Sequence, residues 1–356
     1  MTDKDTLRPT LRQLVTGRDL SEEEAADVMR ALVAGAFTPA QFGALAVGLR
    51  LKGERAAEIA GFIQVLRDQG VRVDLGARAK DAVDMCGTGG DGPSSQVFNI
   101  STTALFVAAG AGATVAKHGT NAVSSKSGSS DVLLALGVAP ARTPGEAAES
   151  LTSLGICYMH APSFNAGMRH LIGLRQEIGL RTVFNLLGPL CNPARVERHL
   201  TGVYDGRYVP VVAEALARCG TRRAWVVHGA DGLDELSTVD RSRVVEVRDG
   251  TLTEFEVDPR GLGLAPARHD ELRGGLPAEN ARILRTVLSG TATGAQTDVV
   301  LLNAAGVLVV GGQADDLAHG LQLAEKSVRS GAATDVLDRW VSWSATRSRT
   351  HAGATS

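Results

Sequence analysis

Cysteine, long apolar runs and net charge are all scarce in this chain, and each shortage removes a class of function. Only four cysteines occur in 356 residues. Cys86, Cys157, Cys191 and Cys219 stand apart, without a CxxC pair, which argues against zinc and against a disulfide framework and fits a reduced interior. The longest strongly apolar run, VVLLNAAGVLVVGG, is about fourteen residues and broken by glycine, short of a bilayer span. The opening MTDKDTLRPTLRQL carries charges and no apolar segment, so no signal peptide is expected. With 37 Lys and Arg against 39 Asp and Glu, the formal charge is -2. That balance gives no general case for a nucleic-acid or membrane partner. The expectation is a soluble, cytoplasmic globular protein with one large domain and a smaller appendage.

What is present is organised in two parts. The first seventy or so residues read as helices. Ser21 with Glu24 forms one capping-box signal, and Thr38-Pro39 with Gln41 forms another. A third helical segment, RAAEIAGFIQVLRD, follows. After about residue 75 the pattern changes to short apolar runs that stop at polar or glycine-rich loops: AVDMCG, GATVAKHG and AWVVHG. Helical segments such as GEAAESLTSLG and VPVVAEALARCG lie between them. Alternation of this kind indicates an α/β domain with a mainly parallel central sheet. Asp249-Gly250 between alternating runs marks a hairpin. The expected organisation is a small α-helical domain over 1–75, completed by helices from about 163–190, then an α/β domain over 76–345 and a flexible tail over 346–356.

Four loops carry candidate chemistry. CGTGGDG, from Cys86 to Gly92, has four glycines in six positions and backbone N–H groups able to surround a phosphate. It is neither a Walker A loop nor a clean dinucleotide GxGxxG, and on its own a plain turn is a standing alternative. FNISTTALFVAAG places Asn99, Ser101 and Thr102 at the start of an apolar helix, where capping and phosphate binding are both open. KHGTNAVSSKSGSSD joins two lysines, a histidine and five serines, more donors than capping requires. HGADGLDELST crowds Asp231, Asp234 and Glu235 into five residues after a buried run, an oxygen-only set suited to Mg²⁺. Together the loops suit a phosphorylated sugar with a pyrophosphate leaving group.

The motifs GTGGDG, FNIST, KHG..AVSSKSGSSDVL.ALG, GLRTVFNLLGPLCNPA and DGLDE, in that order, resemble the anthranilate phosphoribosyltransferases of tryptophan biosynthesis. The resemblance runs to about residue 340. Pyrimidine nucleoside phosphorylases share the fold and a KHG-like loop but not GTGGDG with the paired DE. The resemblance implies Mg²⁺-dependent transfer from phosphoribosyl pyrophosphate (PRPP) to anthranilate, usually by a homodimer. It implies donor contacts at Gly87, Gly90, Asp91, Asn99, Ser101, Thr102, Lys117, Ser125 and Ser129, and metal ligands at Ser101, Asp234 and Glu235. Lys117, Asp234 and Glu235 are the catalytic candidates. On the acceptor side it implies Gly87, His118, Thr120, Asn121, Asn165 and Arg175, the last meeting the carboxylate through a bidentate fork.

The chain departs from the family where the acceptor binds. KHGTN stands for the family's KHGNR, and NAGM for its HPAM, which puts Thr120, Asn121 and Asn165 at altered positions. The loop after GTGGDG is also about two residues longer. Two alternatives follow: PRPP-dependent transfer to another aromatic acceptor, or a non-catalytic binding paralogue.

Overall fold

Ser21 and Thr38 begin the helical part as their spacing predicts. Ser21 Oγ accepts from the Glu24 amide at 3.1 Å, and Glu24 reaches back to the Ser21 amide at 2.8 Å. Thr38 and Gln41 repeat the exchange at 3.3 and 2.8 Å, with Pro39 opening the helix. The computed structural model describes residues 7–90, 96–122 and 126–353. Its first helices are α1 (Arg8–Val15), α2 (Glu22–Val33), α3 (Pro39–Lys52) and α4 (Ala56–Gln69).

Strands and helices then alternate. The order is β1 (Ala82–Gly87), α5 (Ile100–Gly110), β2 (Thr114–Gly119), α6 (Ser129–Leu136), α7 (Pro144–Leu154) and β3 (Ile156–His160). Next come α8 (Ala161–Phe164), α9 (Leu171–Ile178), α10 (Val183–Leu190), β4 (Arg198–Gly202), α11 (Tyr208–Arg218) and β5 (Arg223–Gly229). The chain closes with β6 (Ser242–Arg248), β7 (Thr251–Val257), α12 (Pro277–Leu288), α13 (Ala295–Gly311), α14 (Leu317–Arg329) and α15 (Ala332–Gly353).

The seven strands form one sheet in the order β3-β2-β1-β4-β5-β6-β7. The first five are mutually parallel, and β6 and β7 add antiparallel. Asp249 and Gly250 form the β6–β7 turn with φ of 48° and 84°, the doubly positive geometry that a two-residue hairpin needs. Because β2 and β4 flank β1 on opposite sides, the strand order switches between β1 and β4, where such folds bind ligands.

Two large cores cover the sheet. On one face, α5, α12, α13, α14 and α15 bury Phe106, Leu284, Leu302, Leu308 and Trp340 against Val83, Val115 and Leu200. On the other, α2, α3 and α4 share a core with Leu171, Phe184, Leu187 and Leu190, with α11, and with Val226 and Val245 of the sheet. Phe184 is its hub, 4.9 Å from the Phe42 ring and 6.4 Å from that of Phe62. Residues 346–353, expected as a flexible tail, instead continue α15. Arg347 explains part of this extension: it pairs with Glu146 and Glu149 and lies 5.0 Å over the Trp343 ring. Among the described residues, no helix is long and apolar enough to cross a membrane.

Candidate active site

The C-terminal ends of β1, β2, β4 and β5 carry the candidate residues. After β1, the Thr88 amide donates to Gly202 O at 3.0 Å, and the Gly89 amide donates to Asp234 Oδ2 at 2.7 Å. A Cβ at Gly87 would lie 2.2 Å from Asp234 Oδ2, and one at Gly202 would lie 1.6 Å from the Asp234 carbonyl. Both glycines are therefore space requirements: they let the acidic loop after β5 pack directly on the glycine loop after β1. Arg181 clamps the other side of that loop, donating to the carbonyls of Thr88 at 3.3 Å and Gly89 at 3.0 Å. Gly90 continues the loop, whereas Asp91 lies outside the described residues.

The acidic loop is fixed from beneath by Asn303 of α13, which accepts from the Leu236 amide at 3.1 Å and donates to its carbonyl at 2.8 Å. This holds Asp234 and Glu235 toward Ser101, whose amide and hydroxyl both donate to the Glu235 carboxylate. Loss of water, reinforced by the neighbouring Asp234, pushes Glu235 up to about 8. Ser101 and Thr102 lie inside the first turn of α5, because that helix begins at Ile100 behind Asn99. The Asn99 amide makes no cap. It donates to Ser127 O at 3.0 Å and accepts from Asn280 of α12 at 2.9 Å, tying the serine-rich loop to the helical layer.

Successive residues of β2 serve opposite sides of the sheet. Lys117, 3% exposed, donates to Met85 O and lies 3.5 Å from Ser101 Oγ. His118 points the other way, where Asn165 Nδ2 donates to its Nε2 at 3.3 Å and the ring also bonds the Gly188 backbone. Burial pushes His118 down to about 4, so it is neutral at pH 7.

Thr120 and Asn121 are held by the start of α6. The Thr120 carbonyl accepts from the Ser130 amide at 3.2 Å. Asn121 donates to Asp131 at 2.6 Å, and its Oδ1 meets His160 Nε2 at 2.9 Å. Ser129 shares its hydroxyl with Tyr158 at 2.7 Å, while Ser125 lies outside the described residues. The guanidinium of Arg175, on α9, has no hydrogen-bond or ion-pair partner among the described residues, and burial followed by the nearby Arg181 lowers its pKa. Such a guanidinium favours an incoming anion.

The sequence reading missed Asp84, Asn192, Asn303 and Arg181. Asp84 had a visible signal, a lone carboxylate inside the apolar run AVDMCG. Arg181 and Asn192 lie within the motif GLRTVFNLLGPLCNPA but carry no local sign of their role, Asn303 sits in an apolar run, and only the fold brings the three to the site.

The helical part and the sheet part together define a two-domain glycosyl transferase. The sequence matches the glycosyl transferase family, a/b domain, over residues 79–334 and the family's helical bundle domain over residues 8–70. Among named relatives, the anthranilate phosphoribosyltransferase of Moorella thermoacetica is 47% identical, covering 95% of this chain and 98% of its own. That of Thermomicrobium roseum is 48% identical, over 92% and 94%. The crystal structure of the Thermus thermophilus enzyme of that name superimposes with a TM-score of 0.87 at 39% identity, covering 97% of this chain and 99% of that one. The Saccharomyces cerevisiae enzyme in complex with PRPP and Mg gives 0.84 at 26% identity, over 96% and 99%. The chain belongs to the anthranilate phosphoribosyltransferase family.

Proposed function

We propose that the chain transfers the phosphoribosyl group of PRPP to the amine of anthranilate, with release of pyrophosphate, in tryptophan biosynthesis. One observation supports the reading above the others: a glycine loop, a buried lysine and two adjacent carboxylates meet where the strand order of the parallel sheet switches. The names of the relatives favour anthranilate over another aromatic acceptor.

Backbone amides of the loop around Gly87 and Gly90 would receive the pyrophosphate, with Asn99, Ser101, Thr102 and Ser129 lining the donor side. Lys117 would stabilise the negative charge that grows on the leaving group. The donor set suits Mg²⁺: Asp234, Glu235 and the Ser101 hydroxyl all offer oxygens, and loss of water followed by the charge of Asp234 raises Glu235. Among the described residues, no cluster of three or more His, Cys, Asp or Glu could hold a metal, so substrate oxygens would complete the shell. When bound, Mg²⁺ supplies charge neutralisation of the departing pyrophosphate.

On the other side of β2, Arg175 would hold the anthranilate carboxylate. Neutral His118, fixed by Asn165, would form a wall that orients the ring. An aromatic amine is nucleophilic when neutral, so positioning can supply much of the rate without a strong base. The same reading makes the chain a cytoplasmic homodimer.

The test is a fluorescence assay of anthranilate with PRPP and Mg²⁺, run beside a panel of substituted aromatic amines and acids. Anthranilate should be consumed one-for-one with pyrophosphate formed. No turnover of anthranilate beside good turnover of an analogue would overturn the choice of acceptor.

A further inference from the structure

Strands β1 and β2 part company at the site. Their pairing ends at Val83 and Val115, whereas β1 stays paired with β4 as far as Gly87 and Gly202, and β2 with β3 as far as Gly119 and His160. Each strand is thus anchored on its outer side and open on the side facing its neighbour. Backbone groups facing that gap still require partners. Side chains provide them. Asp84 Oδ1 accepts from the His118 amide at 3.1 Å, Asn192 Nδ2 donates to Ala116 O at 2.9 Å, and Lys117 donates to Met85 O. Asn192 also donates to Asp84 Oδ2 at 2.8 Å and is itself pinned by the Ala194 amide at 2.9 Å.

Asp84 is 1% exposed and Asn192 is fully buried. Both oxygens of Asp84 accept, one from the His118 amide and the other from Asn192, so a carboxylate suits the gap where an asparagine would turn its N–H₂ group toward one of those donors. Burial raises Asp84 to about 6, and the charge of Lys117 together with these hydrogen bonds opposes the rise.

We propose that Asp84 and Asn192 form a wedge that holds β1 and β2 apart and positions Lys117 and His118. They are positioning residues, acting through the two residues that face donor and acceptor. The wedge sets the lysine's direction through the gap and fixes the backbone of His118, so one buried pair governs both halves of the site. The inference rests on the reading of Lys117 as the pyrophosphate ligand.

The experiment compares wild type, Asp84→Asn and Asn192→Ala. The first turns an amide N–H₂ group toward the Asn192 donor, and the second takes the donor from both the Ala116 carbonyl and Asp84. Binding of Mg²⁺-pyrophosphate is measured by calorimetry, turnover by anthranilate fluorescence, and folding by thermal melting. Asp84→Asn should lose about tenfold to a hundredfold in pyrophosphate affinity and in kcat, the range seen for outer partners of ligating side chains. Asn192→Ala should lose both in the same range. Native affinity in a folded Asp84→Asn protein overturns the wedge. So does native affinity in a folded Asn192→Ala protein, and this second variant decides the matter if Asp84→Asn does not fold. Wild-type protein that binds pyrophosphate without consuming anthranilate counts against the proposed acceptor and leaves the affinity comparison to judge the wedge.

Discussion

Arg175 and the pair Asp234–Glu235 test the two sides of the site separately. Arg175→Ala should raise KM for anthranilate by about tenfold to a hundredfold, the 1.4–3 kcal/mol of a lost charged hydrogen bond, and leave KM for PRPP nearly unchanged. Equal effects on both substrates would remove the arginine from the acceptor side. Asp234→Asn with Glu235→Gln should raise the Mg²⁺ needed for half-maximal turnover by at least about tenfold, checked by titrating the metal at saturating substrates. Activity unchanged at low Mg²⁺ would take both residues out of the metal site. At this scale the loops were legible because their chemistry is local: four glycines, a lysine among serines, adjacent carboxylates. Their supports were not. Asn303 and Asn192 serve backbone groups far away in the chain, and nothing about their neighbours in sequence announces that. The altered acceptor residues also gain a physical account. Asn121 is bound to Asp131 and His160, and Asn165 to His118, so both amides are committed within the protein.

Helices with a complete cap and the tight hairpin are legible in the local sequence. Ser21, Thr38 and Asp249-Gly250 act through hydrogen bonds or backbone angles within a few residues, so short patterns suffice. The strands β3 and β4 escaped notice. ICYMH and RHLTG are five-residue segments with polar ends, and their burial comes from neighbours in the sheet and not from any periodicity of their own. Thr38→Ala gives a check at this scale. It removes the acceptor for the Gln41 amide and should cost about 1 kcal/mol in chemical denaturation, with turnover unaffected. A cost near zero would mean that Pro39 and packing alone fix the start of α3.

The whole molecule places Lys117 and His118 on opposite faces of β2, with the α5–α13 layer behind one and the helical core behind the other. Its stability should record the buried titrating groups. In the window from about 4.5 to 6, the lowered His118 favours folding as pH rises, while the raised Asp84 and Glu235 oppose it. Above 6.5 the picture is simpler. Glu235, raised to about 8, contributes stability below its ordinary value that is progressively lost as pH climbs through 8. Without Mg²⁺, thermal melting should therefore show a loss of about 1–2 kcal/mol between pH 6.5 and 8, and Glu235→Gln should abolish most of it. The sequence revealed the α/β class and the glycine-rich and polar loops, but not the opening between β1 and β2 around which those loops are arranged, since strand pairing is a property of the folded sheet. That division of the site is the central claim, and a crystal structure of the chain with PRPP, Mg²⁺ and an unreactive anthranilate analogue tests it most directly. The account predicts pyrophosphate oxygens on the Gly87–Gly90 amides and Lys117, and the analogue's carboxylate on Arg175 beside His118. An analogue bound on the Lys117 side of β2, or pyrophosphate away from the glycine loop, would contradict it.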